Sequence, residues 1–204
     1  MRIVAAQEFE SWLASGEVLE RDARGPKVLA LENGLYLKIF HTRRHPLLAR
    51  LQPAAKRFAY NAERLQYLDI PTPEVVETLW LDRTKGLSAC IYRPLPGTSV
   101  EQLYLQEPAG ITALLPALAE FIRKLHQSGV YFRSLHLGNI IQLPGGQFGL
   151  IDILDLHVKS RPLGRGLVRR NFQHLHHYLT RRDLQGFPTQ TLIDSYHQSP
   201  TTKR

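Results

Sequence analysis

Apolar residues alternate with polar ones through much of the first half of the chain and gather into helical stripes in the second. Phe9, Trp12 and Leu13 stand at helical spacing, and Ser15-Gly16 ends that helix. VLE and the longer KVLALENGLYLKIF read as strands, and Asn33-Gly34 between apolar runs is a strong hairpin-turn signal. Alternation from Leu35 to Phe40 places Lys38 on one face of a strand, between apolar neighbours. Pro53 to Leu68 predicts a helix with Phe58, Ala62, Leu65 and Leu68 on one side, ended by Pro71 and Pro73. VVETLWL and SACIYRPL are further strands about a turn at Asp82–Gly86.

The segment Pro94-Leu95-Pro96-Gly97 breaks this pattern and reads as an interlobe hinge. Ser99 can N-cap a short helix, VEQLYL. A longer helix runs from Leu115 to Ser128, its core stripe Leu118, Phe121, Ile122 and Leu125, its C-cap Gly129. A short apolar segment and a polar loop ending in Gly-Asn come next. They lead into a strand at Asn139–Leu143, a turn at Gly145-Gly146 and a strand at Phe148–Ile151. A last helix carries Val168, Phe172, Leu175 and Leu179, and the tail from Ser195 is expected to fray. Residues 1–93 are thus strand-rich with one main helix, and residues 94–204 are helix-rich. The expected architecture is α+β, two lobes of one domain with a cleft between them.

A chain of 204 residues that is 43% hydrophobic can bury a real core. One cysteine, Cys90 in the apolar run SACIY, excludes an intramolecular disulfide framework and fits a packed thiol in a reducing cytoplasm. No apolar run approaches the length of a membrane span, and the N-terminus lacks a signal-peptide core. The expected location is cytoplasmic, with contact at an inner-membrane surface open. The net charge of +8 predicts attraction to polyanions. The excess is concentrated from His157 to Arg182, which holds seven Lys and Arg residues, four histidines and no acidic residue. That stretch is either a solvated helix face or a surface for an anionic substrate or headgroup. No interleaved aromatic platform or nucleic-acid motif accompanies the charge, which argues against a nucleic-acid partner.

The chemistry concentrates in GVYFRSLHLGNIIQLPGGQFGLID, Gly129–Asp152. Asn139 and Asp152, thirteen residues apart, are brought to one edge by the hairpin. An amide and a carboxylate so placed suit magnesium, which prefers a few oxygen ligands together with phosphate oxygens.

Lys38 in LYLKIF, LPG at Leu95–Gly97, LHLGNII at Leu135–Ile141 and LID at Leu150–Asp152 share the order and rough spacing of the protein-kinase-like fold. Over roughly residues 20–180 the chain most resembles the small bacterial lipopolysaccharide kinases, the Kdo and core-heptose kinases. It is also similar to the "toluene tolerance" proteins of Gram-negative bacteria. The resemblance implies ATP and Mg2+ as cofactors. Lys38 would contact the α/β-phosphates, and Asn139 and Asp152 would be the metal ligands. Alone, Lys38 would read as a snorkelling lysine on a half-exposed strand, Asn139 as a turn cap and Asp152 as a strand-end residue. His136 would brace the loop by hydrogen bonding. Glu63, the acidic residue of the helix after Lys38, would be the lysine's partner, although Asn61 could equally take the cleft-facing turn.

The chain departs from the pattern in several places. Phe132-Arg133-Ser134 stands where the family has His-Arg-Asp, so Ser134 occupies the position of the catalytic base. A serine hydroxyl has no resting charge and cannot serve as base near neutral pH. Asn171 falls where a later helix usually carries an Asp that braces the catalytic loop. The helical lobe is short. ARGPKV makes a poor phosphate loop, because Pro26 after Gly25 has no N–H to offer. Asp155, three residues past Asp152, is either a substitute base or a solvated turn residue.

Three functions follow as expectations. The first is phosphoryl transfer from ATP to an envelope sugar, most directly of the lipopolysaccharide core, with 157–182 facing the anionic glycolipid. The second is a pseudokinase that binds nucleotide without turnover and serves envelope integrity or solvent tolerance. The third is a basic binder without a nucleotide site.

Overall fold

The computed structural model describes residues 1–41 and 46–198, and the chain falls into two compact units. The first comprises residues 1–67 and 72–95; the second comprises 68–71 and 96–204.

The first unit is a sheet with a helix on each face. Its strands are β1 (Arg2–Ile3), β2 (Glu17–Asp22), β3 (Gly25–Ala30), β4 (Tyr36–Phe40), β5 (Glu74–Asp82) and β6 (Leu87–Arg93), and its helices are α1 (Ala6–Ser15), α2 (Pro46–Leu51) and α3 (Ala54–Tyr67). The strand order is β1-β5-β6-β4-β3-β2, antiparallel except for β1 along β5. Period-two alternation divides the residues of β4 between the two faces. Leu37 and Ile39 join Leu29, Leu79, Ala89 and Ile91 in a core covered by Phe9 and Trp12 of α1. On the other face Phe40 and Tyr92 pack against Phe58 of α3, with ring centroids 5.6 and 6.1 Å apart.

The second unit contains β7 (Thr98–Ser99), α4 (Val100–Gln106), α5 (Ile111–Gln127), β8 (Val130–Phe132), β9 (Ile140–Gln142), β10 (Phe148–Leu150), β11 (Leu156–Val158), α6 (Arg165–Arg181) and α7 (Thr189–Gln198). Ser99 caps α4 with a full capping box through Gln102. The chain reaches it through Gly97 at φ +129°, where a Cβ would collide with the carbonyl oxygen of Gln142. Strands β9 and β10 form the expected hairpin, extended by β7, and β8 and β11 form a separate two-stranded ribbon. Leu115, Leu118, Ile122 and Leu125 of α5 are buried, as are Leu175 and Leu179 of α6 and Leu192 of α7. The expectation of a frayed tail from Ser195 fails for the residues described. α7 continues to Gln198, because Leu192 and Tyr196 give it an apolar side to bury; residues 199–204 lie outside the described residues. The whole is a mixed chain of sheet and helices compatible with an α+β class.

Candidate functional site

The candidate residues of the second unit meet where its two small sheets end. The β8–β11 register pairs Phe132 with Leu156, so the residues just beyond, Arg133-Ser134 and Asp155, run alongside each other. Ser134 Oγ donates to Asp155 Oδ2 at 2.7 Å. The other carboxylate oxygen, Asp155 Oδ1, is buried with no hydrogen-bond partner among the described residues. The Ser134 carbonyl in turn accepts from Asn139 Nδ2 at 3.0 Å. That bond fixes the amide and leaves Asn139 Oδ1 as its remaining acceptor. Asp155 is therefore no solvated turn residue: it is half-buried and bonded to Ser134.

Asn139 and Asp152 sit at the same end of the β9–β10 hairpin. Leu150 pairs with Ile140, and one step further the Ile151 N–H donates to the Asn139 carbonyl at 3.0 Å. Asp152 follows with φ +51° and ψ +43°, a left-handed conformation that costs a non-glycine residue of order 1 kcal/mol. Asn139 is buried and Asp152 exposed. The donor set is one amide oxygen and one carboxylate, hard oxygens that suit a magnesium–phosphate complex better than a softer metal.

Asn171, which stands where the resemblance implies an Asp, ties down the loop through its amide. Its Nδ2 donates to the Phe132 carbonyl at 2.8 Å, and its Oδ1 lies 3.2 Å from His126 Nε2. A carboxylate could not donate to that carbonyl; the amide is what this geometry requires. Since Oδ1 only accepts, His126 carries its proton on Nε2, and Nδ1 accepts from the Tyr196 hydroxyl at 2.9 Å. Burial pushes the His126 pKa down to about 4, so the ring is neutral at pH 7. The chain Phe132–Asn171–His126–Tyr196 ties the loop to α6, α5 and α7.

His136 also departs from expectation. Its ring makes no hydrogen bond among the described residues, and Nδ1 is buried without a partner. It braces by stacking on Tyr178, at 3.8 Å between centroids and 3° between planes. Burial holds it down to about 4 against the opposing pull of Glu101 and Asp152. Tyr178 donates to Glu101 Oε2 at 2.5 Å, and Arg182 Nε donates to Glu101 Oε1 at 2.9 Å. Gly138 lies close beneath this cluster: a Cβ there would lie 2.7 Å from Glu101 Oε2 and 2.8 Å from the Tyr178 hydroxyl, so both side chains would have to shift. Sequence reasoning missed this Glu101–Tyr178–Arg182 cluster. Glu101 lies 77 and 81 positions from Tyr178 and Arg182 in the chain, and no local spacing signals their meeting.

In the first unit, Lys38 on β4 is buried, at 9% exposure, between Val28 and Cys90 in the strand register. Its ammonium lies 6.0 Å from the Phe58 ring centroid. A snorkelling, half-exposed lysine does not describe it. Cys90 is fully buried, and desolvation pushes its thiol up to about 12, as expected of a packed cysteine. Glu63 is a correction: it is exposed on the β5 side of α3, beside Glu74 and Thr78, and forms no ion pair with Lys38. The buried polar residue of that helix is Asn61. The helical phase that buries Phe58, Ala62 and Leu65 turns position 61 inward and position 63 out.

No family model and no curated protein matches this chain. No helix among the described residues is long and apolar enough to cross a membrane.

Proposed function

We propose that the chain is a kinase-like phosphotransferase of the lipopolysaccharide-kinase type, moving a phosphoryl group from ATP to an anionic sugar of the cell envelope. The observation that carries this reading is the hydrogen bond between Ser134 Oγ and Asp155 Oδ2. It supplies a carboxylate where the sequence has lost one. An acceptor hydroxyl would pass its proton to Ser134 Oγ as Ser134 passes its own to Asp155, leaving Asp155 a neutral acid. The acceptor oxygen would then bond to the γ-phosphorus, and ADP would leave. Asn139, held by its Nδ2, and Asp152 would hold the magnesium ion, which neutralises phosphate charge. Lys38 is assigned to the α/β-phosphates; its burial among apolar neighbours supports a fixed cation rather than a solvated one. The basic 157–182 stretch suits work on a glycolipid at the cytoplasmic face of the inner membrane.

The test is transfer from γ-labelled ATP to lipopolysaccharide core oligosaccharide. Wild-type protein is expected to label the acceptor with magnesium, and Asp152→Ala is expected to abolish labelling. A wild-type protein inert toward ATP and every core acceptor would end this reading. The pseudokinase alternative retains one specific support, the N–H missing at Pro26 in the turn after Gly25. It predicts ATP–magnesium binding without turnover.

A further inference from the structure

A groove of about 590 Å³ opens beside Ser134, between the loop after β8 and one face of α6. That volume lies within the range of small-molecule sites. Arg133 and Ser134 come from the loop; His174, His177, Tyr178 and Arg181 come from α6, at the spacing of one helix face. No carboxylate lines it. Arg133 and Arg181 are exposed and make no ion pair or hydrogen bond among the described residues. Elsewhere in this unit Arg182 and Arg123 are both matched to glutamates, Glu101 and Glu120. Two buried ring nitrogens at the groove, His136 Nδ1 and His174 Nε2, also have no partner. After burial, the next causes that lower the His174 pKa are Arg133, Arg170 and His177, while Asp155 opposes them. The groove thus presents two guanidiniums without an ion-pair partner among the described residues, while Asp155, Glu101 and Asp152 act on its histidines from behind the lining.

We infer that this groove is a binding subsite for a phosphate monoester carried by the acceptor, gripped by Arg133 and Arg181 beside the hydroxyl of Ser134. A planar guanidinium matches phosphate geometry with two parallel hydrogen bonds, and a pair of unmatched arginines across a groove suits a dianion. The unpartnered ring nitrogens of His136 and His174 add polar groups to the groove wall. The wider basic stretch could collect any polyanion; the groove is the part of it with walls, free donors and a neighbour at the proposed transfer centre. Its role as an acceptor subsite rests on the phosphotransferase reading, whereas its capture of a monoester does not.

The experiment is calorimetric titration of the full chain at low salt with glucose 6-phosphate, with glucose, and with vesicles containing phosphatidic acid. Glucose 6-phosphate should bind and glucose should not. Arg133→Gln and Arg181→Gln should each weaken binding at least tenfold, and Arg165→Gln, on α6 but outside the groove, should leave it unchanged. Thermal melts check folding; both arginines are exposed and unpartnered, so melting should not shift. Binding to the vesicles in place of the sugar phosphate, with the same dependence on Arg133 and Arg181, supports the subsite and assigns the monoester to a lipid headgroup. Absence of any monoester binding, or equal weakening by Arg165→Gln, overturns it. A parallel titration with ATP and magnesium separates the two claims: monoester capture without nucleotide binding leaves the groove standing and removes the phosphotransferase.

Discussion

At the residue scale the account turns on Ser134. The serine reads in the sequence as the loss of a base, and its partner Asp155 reads there as a solvated turn residue sooner than as a substitute base. Neither reading contains the pairing, because it depends on a ribbon of two three-residue strands, too short for alternation to be legible. With the 2.7 Å bond in place, Asp155→Asn is expected to slow transfer by about 10²–10⁴-fold while leaving the ATP–magnesium dissociation constant unchanged. Single-turnover kinetics beside calorimetry check this; equal rates for Asp155→Asn and wild type would remove the relay. Ser134→Asp, which puts a carboxylate at the base position directly, should retain transfer. Asn171 makes the converse point. Its amide donates to the Phe132 carbonyl, so Asn171→Asp should cost about 1–3 kcal/mol of stability near pH 8, measured by urea unfolding. A more stable Asp variant would contradict the brace.

At the element scale much was legible. Helices α1, α3, α5 and α6 and strands β3 to β6 follow from apolar periodicity, and the β9–β10 hairpin follows from Gly145-Gly146 between apolar runs. Among the missed elements are two held by distant partners, β1 paired with β5 and β11 with β8; α2, β7 and α7 went unread as well. Glu63 was misplaced because nearness in sequence says nothing of helical phase, and that phase turns Asn61 inward. The union of α5, α6 and α7 around His126 gives a pH dependence. The His126 pKa is lowered to about 4 from 6.5 by burial, so between those values the unfolded chain binds the proton more readily than the folded one. Stability from this group is complete above pH 6.5 and is lost as pH falls toward 4, about 3 kcal/mol in all. Urea melts from pH 7 to 4.5 should show the decline. His126→Gln, which cannot charge, should flatten the part of it that His126 contributes, and an unchanged slope in that variant would refute the assignment.

At the scale of the molecule, the charge visible in composition becomes specific only through the fold. Of the basic residues between 157 and 182, Arg182 is matched to Glu101, while Arg181 lines the groove beside Ser134 and has no partner among the described residues. The central claim is that Asn139 and Asp152 hold magnesium against the phosphates of a bound nucleotide. Calorimetric titration with ATP, with and without magnesium, tests it most directly. Wild-type protein should bind ATP with magnesium and lose most of that affinity when magnesium is withheld. Asp152→Ala should lose the magnesium dependence, and Lys38→Met should weaken binding in both conditions. A wild-type protein that takes up no ATP in the presence of magnesium would contradict the account.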